Sequence, residues 1–364
     1  MAKLYGKEYS KSDLLKRVGS LSQIAGVRSI TLQDGNEAGV RAVEFRTGSG
    51  FDFTVLADRG LDVSSCHYQG QSLAWRSSSG DTAPQFYEPI GLGWLRSFPG
   101  GLITTCGLTN VGTPNEDNGE QLGAHGRYSN LPAKNVYMDG EWQGDDYVMW
   151  AQGKVNETRI FAENLQVTRR IWTKLGEKRF WLSDVVENLG FVEWPFEILY
   201  HINGGFPVID AGAELLSPTT GTARPRDADA EIEADQYNKF VGPTHGFKER
   251  CYYHEMAVDA DGAVYAALVN KSFNNGQGFG FYAKYLKSQL PIFTEWKMNC
   301  EGTYVVGMEP ANCHVEGRTR EREYGTLQTI KPGEKKNIDI EIGVLTSQEE
   351  IAAIEEKIAR AKAR

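Results

Sequence analysis

The chain has 364 residues, 40% of them hydrophobic and 11% aromatic, which supports a large core and argues against disorder. Its net charge of -9 excludes the basic face that nucleic-acid binding needs, and no window approaches the roughly 18 consecutive apolar residues of a membrane span. Five scattered cysteines without a CxxC, and a start (MAKLYGKEYSKSDLLKR) without an apolar signal core, predict a soluble cytoplasmic protein with reduced thiols.

In chain order, the spacing of Leu14, Leu15, Val18 and Leu21 predicts a short helix over 12–21. Short alternating runs rich in Val, Ile, Phe, Tyr and Trp follow at 40–45, 51–57, 165–173, 180–187, 263–270, 278–285 and 337–344, each bounded by turn or charged residues. LQVTRRIWTK and FWLSDVVENL predict a half-buried antiparallel hairpin, with Leu165, Val167 and Ile171 on one face and Gln166, Thr168 and Arg170 on the other. The acidic stretch 227–235 reads as a solvated loop. TYVVGMEPANCH predicts a strand that ends at Glu309, held extended by Pro310. In 347–362, Ser347 and Glu350 form a capping box, and Ile351, Ile354 and Ile358 fall on one helix face. With no linker or repeat, residues 1–364 are expected to form a single all-β domain. It would be one large antiparallel sandwich with its core at about 30–345 and short helices at the two ends.

The chemistry shows as polar residues in apolar or glycine-rich settings. The six histidines have no HxH or HxxxH pair, so no metal is expected, and phosphate loops and GxSxG elbows are absent. His201 sits in FEILYHINGGF, where Asn203 and the Gly204–Gly205 pair follow and allow a close approach. A lone strand histidine is more often a satisfied core residue. His125 lies between glycines in LGAHGR, and Asp58–Arg59 follow an apolar strand, where an ordinary salt bridge is an even alternative. Glu309, taken alone, reads as a strand end leaving for solvent. With Arg96, Arg127 and many Trp and Tyr residues, these groups resemble a carbohydrate site, which needs aromatic faces and polar groups for hydroxyls.

The segment 165–206 resembles the middle of the aldose 1-epimerases, or galactose mutarotases. YHINGGF is similar to that family's acid-histidine motif, AHGR to its substrate-histidine motif and MEPAN to its catalytic-glutamate motif. ADRGLDV, FPGGL, AHGR and GMEPANC are shared with a mutarotase-related branch classed as a domain of unknown function. The resemblance implies a β-supersandwich, His201 as protonated general acid, Glu309 as ionised base and His125 as a sugar ligand, with no cofactor. Asp58, Arg59, Arg96, Arg127 and Asn203 complete the candidate sugar-binding set. Tyr200 stands where the family has Asn, and the family's site arginine has no counterpart in GGLITTCGLTN, leaving Arg96 or Arg127 to replace it. The expected partner is a small sugar, and a homodimer stays open. The rival readings are a non-catalytic sugar binder or sensor, and another carbohydrate epimerase or lyase.

Overall fold

The computed structural model describes residues 1–364, and alternation dominates it. One eight-stranded sheet runs Lys134–Gln143, Asp146–Thr158, Asn164–Lys174, Arg179–Asn188, Lys335–Leu345, Phe279–Leu286, Ala263–Asn270, Glu214–Leu216. The larger sheet runs Arg224–Pro225, Arg250–His254, Ile292–Cys300, Thr303–Ala311, Glu197–Gly204, Ile103–Leu108, Asp62–Tyr68, Phe51–Leu56, Arg41–Arg46, Gly26–Thr31. The pairings in both sheets are antiparallel. Their inner faces share one buried cluster, in which Val167, Phe180 and Leu182 of the smaller sheet join Val55, Val63, Ile198, Ile202 and Met308 of the larger.

The expected hairpin forms, pairing Leu165 with Asn188 through Trp172 with Trp181. Its inward row also holds Arg169, which follows from the two-residue period once Leu165, Val167 and Ile171 point inward. Arg169 is fully buried and reaches both sheets. Nη1 donates to Asp62 Oδ1 at 2.7 Å, Nε and Nη2 donate to Asp184 at 2.9 and 2.6 Å, and Nη2 also donates to Thr105 Oγ1 at 3.0 Å. Tyr200 donates its hydroxyl to Asp184 Oδ2 at 2.6 Å. Tyr200 thus faces the space between the sheets and completes this polar clasp. A buried cation is tolerable there because every one of these charges has a partner.

The ends depart from expectation. The first helix is only Lys11–Leu15, with a Ser10–Asp13 capping box, and Leu15 is exposed. It ends at Lys16 as C-cap, and Ser20 caps a separate turn at Leu21–Gln23. The last helix, Gln348–Lys362, packs Ile351, Ile354 and Ile358 on Ala267, Val269 and Leu345, covering part of the smaller sheet's outer face. Ser347 caps the Glu350 N–H, but the Glu350 carboxylate turns to Thr346 and Lys178, so the box is one-sided. The acidic stretch is not a solvated loop. Asp227 caps a helix at Ala228–Glu231 whose Ala230 packs on Ala223 and Tyr252. No helix is long and apolar enough to cross a membrane.

Candidate active site

Five neighbouring strands of the larger sheet build the site: β1 (Ile103–Leu108), β2 (Glu197–Gly204), β3 (Arg250–His254), β4 (Ile292–Cys300) and β5 (Thr303–Ala311). On β2, Ile198, Tyr200 and Ile202 enter the inter-sheet core, so Leu199, His201 and Asn203 point to the opposite, outer face. The β2–β5 register pairs Leu199 with Ala311 and Ile202 with Met308, which sets His201 directly opposite Glu309. Glu309 is therefore inside a strand, paired with Thr294 of β4, and not at a strand end as the sequence suggested. Pro310 has no N–H to give to β2, and the β2–β5 ladder is open at Tyr200–Pro310 and His201–Glu309. Asn312 closes it again: its side chain accepts from Ile198 N at 2.7 Å and donates to Phe196 O at 2.9 Å.

The two functional groups meet at the floor of a cavity of about 360 Å³, within the roughly 300–1,000 Å³ range of small-molecule sites. His201 Nε2 lies 3.1 Å from Glu309 Oε1, both side chains almost fully buried. Oε1 has no aligned hydrogen-bond partner. Asn203 donates its amide to Gly101 O and His201 O, so its Oδ1 is left to accept from His201 Nδ1 at 2.6 Å. Nδ1 therefore carries the proton and the Nε2 lone pair faces Glu309. Gly307 makes the room: a Cβ there would stand 2.7 Å from Glu309 Oε1 and 3.2 Å from His201 Cε1. The walls are aromatic. Phe98 and Trp296 each lie 5.2 Å from the His201 ring, and Trp94 lies 4.5 Å from the ring of His125. His125 adopts φ +55° between glycines, which turns its imidazole into the cavity 6.0 Å from that of His201, with Nδ1 buried and unpartnered.

Burial decides the charge state. It pushes the Glu309 carboxyl up to about 8, helped by the Glu249 carboxylate and opposed by Arg226. It pushes His201 down to about 3, with His125 acting in the same direction and the Asn203 bond against it. His125 falls to about 4 for the same reason. Burial thus favours the neutral pair, with the proton on Glu309. That reverses the expectation of an imidazolium beside a carboxylate, because burial penalises both charges.

Residues 37–344 match the protein family Domain of unknown function (DUF4432). The chain belongs to this DUF4432 family. A protein from Klebsiella pneumoniae subsp. pneumoniae, described as a provisional aldose 1-epimerase, is 26% identical and superposes with a TM-score of 0.87 over 92% of this chain and 87% of its own. A galactose mutarotase-like protein from Clostridium acetobutylicum superposes at 0.59 with 14% identity, over 89% of this chain and 99% of its own. The galactose 1-epimerase of Lactobacillus acidophilus gives 0.52 and 12%, over 89% and 100%. The fold is therefore the galactose mutarotase-like β-sandwich. Among curated proteins, none matches.

In this DUF4432 chain the other expected ligands lie elsewhere. Arg59 is buried and donates to the carbonyls of Ser129, Thr82 and Ser97 at 2.6, 2.6 and 2.8 Å, tying together the loops that form the cavity wall. Asp58 accepts from the backbone and guanidinium of Arg41. Arg96 points outward and pairs with Glu88 at 3.2 Å. Arg127 lines a separate polar cavity, over the ring of Tyr87. Asn203 holds His201 and does not line the cavity. The cation that does enter is Arg226, whose guanidinium donates to Asp227 at 2.7 Å, Glu249 at 2.9 Å and Cys251 Sγ at 3.0 Å. Glu249 in turn accepts from Trp296 Nε1 at 3.0 Å. Neither Arg226 nor Glu249 had a sequence signal, since each stands among other charged residues.

Proposed function

We propose that the cavity binds an aldopyranose and interconverts its anomers by acid–base ring opening. The observation that carries this reading is the His201–Glu309 pair, 3.1 Å apart in a cavity walled by aromatic rings. Opening a hemiacetal needs one group to take the anomeric hydroxyl proton and one to give a proton to the ring oxygen, and no cofactor. A pair with a single proton supplies both. Burial favours the proton on Glu309. Sugar hydroxyls that solvate the carboxylate let it move to Nε2, which gives an imidazolium facing the ring oxygen and a carboxylate facing O1–H. Glu309 removes the hydroxyl proton, His201 protonates O5, and the C1–O5 bond breaks to the open aldehyde. Rotation about C1–C2 and the reverse steps close the other anomer and return both protons. Each correctly placed group contributes roughly 10²–10⁴ in rate.

The deciding experiment is exchange NMR of anomers with purified wild type, Glu309→Gln and His201→Asn. Wild type should accelerate exchange above the spontaneous rate, and each variant should lose that acceleration while still binding the sugar by calorimetry. The double variant should be little worse than either, since the two act as a unit. Wild type that binds sugars tightly but leaves the spontaneous rate unchanged would overturn the enzyme reading in favour of a sugar binder.

A further inference from the structure

Resting on the ring-opening reading, we infer that Pro310 and Asn312 are positioning residues that keep the seam between β2 and β5 loose, so that His201 and Glu309 part to receive the sugar. The seams on the far sides of these two strands are closed. β4 and β5 pair residue by residue from Ile292–Ala311 to Cys300–Thr303, and β1 and β2 pair without a break from Leu108–Glu197 to Ile103–Ile202. Between β2 and β5 the pairs are Leu199–Ala311, Ile202–Met308, Asn203–Gly307 and Gly204–Val306. The two positions missing from that run are Tyr200–Pro310 and His201–Glu309. Of the three seams, the interrupted one carries the reacting pair.

Two residues account for the interruption. Asn312 N donates to Ile198 O at 3.1 Å, and Asn203 N donates to Leu102 O at 3.0 Å, which fixes the alternation. Even-numbered residues of β2 turn their backbone groups toward β5, and odd-numbered ones toward β1. The group facing Tyr200 O is therefore the nitrogen of Pro310, which carries no hydrogen. Two residues before Tyr200, Ile198 N donates to Asn312 Oδ1 at 2.7 Å, and no Ile198–Asn312 ladder pair forms. The same carboxamide donates to Phe196 O at 2.9 Å, so it ties β5 to β2 beyond the gap and preserves the register. His201–Glu309 falls between ladder bonds, where facing side chains come closest. In the empty cavity Nε2 and Oε1 stand 3.1 Å apart, turned toward each other. Ring opening needs them on different oxygens, His201 at O5 and Glu309 at the anomeric hydroxyl. A seam that lacks ladder bonds on this stretch lets them part, while the closed seams hold each strand to its other neighbour.

The test uses the full chain with Pro310→Ala, which supplies the missing N–H opposite Tyr200 O, and Asn312→Ala, which removes the tie. Anomer exchange by NMR gives kcat and KM, urea denaturation gives stability, and amide hydrogen exchange reads the seam directly. In wild type the Tyr200 amide should exchange faster than that of Asn203, and Pro310→Ala should slow it. Pro310→Ala should be at least as stable as wild type, yet lose about 10²-fold in kcat with KM little changed, the loss expected for a misplacement of about 1 Å. Asn312→Ala should speed exchange at Ile198, leave Asn203 unchanged and lower kcat with little change in KM. Wild-type kcat in Pro310→Ala overturns the inference and leaves ring opening intact. A Pro310→Ala variant that loses stability and activity together marks a structural proline and also overturns it. If wild type does not exchange anomers above the spontaneous rate, ring opening itself fails, and amide exchange then decides the seam. Slower exchange at Tyr200 in Pro310→Ala sustains a seam held open by the proline, and an unchanged rate overturns it.

Discussion

Replacing Glu309 by Gln should make the protein more stable and inactive at once. The folded carboxyl is pushed up to about 8 by burial, against an ordinary value of 4.5. Between those values the unfolded chain is ionised at this residue while the folded chain keeps the proton, so folding takes up a proton and stability falls as pH rises. At pH 7 the difference spans about 2.5 pH units, which corresponds to about 3 kcal/mol as an upper figure. Gln is the neutral shape of a protonated Glu, and its amide N–H can face the Nε2 lone pair of His201. It does not ionise in either state, so the penalty disappears. Urea denaturation followed by tryptophan fluorescence at pH 4, 5.5, 7 and 8 reads this directly. Glu309→Gln should match wild type near pH 4 and exceed it increasingly up to pH 8, where the gap levels off. His201 gives the opposite slope. Held neutral down to about 3, it costs stability as pH falls below its ordinary 6.5, so the stability optimum of the pair lies between roughly pH 4.5 and 6.5. A Glu309→Gln variant less stable than wild type at pH 7, or a difference independent of pH, would refute the neutral-pair assignment.

Three further outcomes follow from the same geometry. Gly307→Ala should leave the circular dichroism unchanged and abolish anomer exchange, because its Cβ would stand 2.7 Å from Glu309 Oε1 and push the carboxyl off His201. Asn203→Asp should place a charge on His201 Nδ1, raise the imidazole pKa seen by NMR titration and move the acid limb of kcat/KM upward, whereas Asn203→Ala should lower kcat with little change in KM. Arg169→Met should lose about 3–5 kcal/mol in urea denaturation, since Asp62 and Asp184 would be left buried without their cation.

The strands that the sequence made legible are those in which burial and polarity agree. Residues 263–270 are an apolar run buried on both faces, and they form a strand with those very bounds. β4 escaped notice because the two disagree: Glu295 and Lys297 occupy its inward row, both fully buried, with Lys297 Nζ satisfied by the carbonyls of Gln236 and Lys239. Arg169 hid in plain alternation for the same reason. The site shows the matching difficulty with charges. His125, His201 and Glu309 stood out because each interrupts an apolar or glycine-rich run, and all three line one cavity. Arg59 interrupts such a run too, yet its guanidinium is spent on three backbone carbonyls. Sequence context cannot separate these cases, because both need a polar group where the fold is dry. What separates them is whether the protein has supplied the partner. Arg59 and Arg169 are satisfied from within, so removing either exposes buried oxygens and the loss falls on stability. Glu309 Oε1 and His125 Nδ1 are buried without aligned protein partners, and both residues line the cavity. Other buried atoms without aligned partners, such as Tyr128 Oη and Glu197 Oε1, lie outside the cavity, so a missing partner marks the proposed ligand groups only where it coincides with the cavity lining.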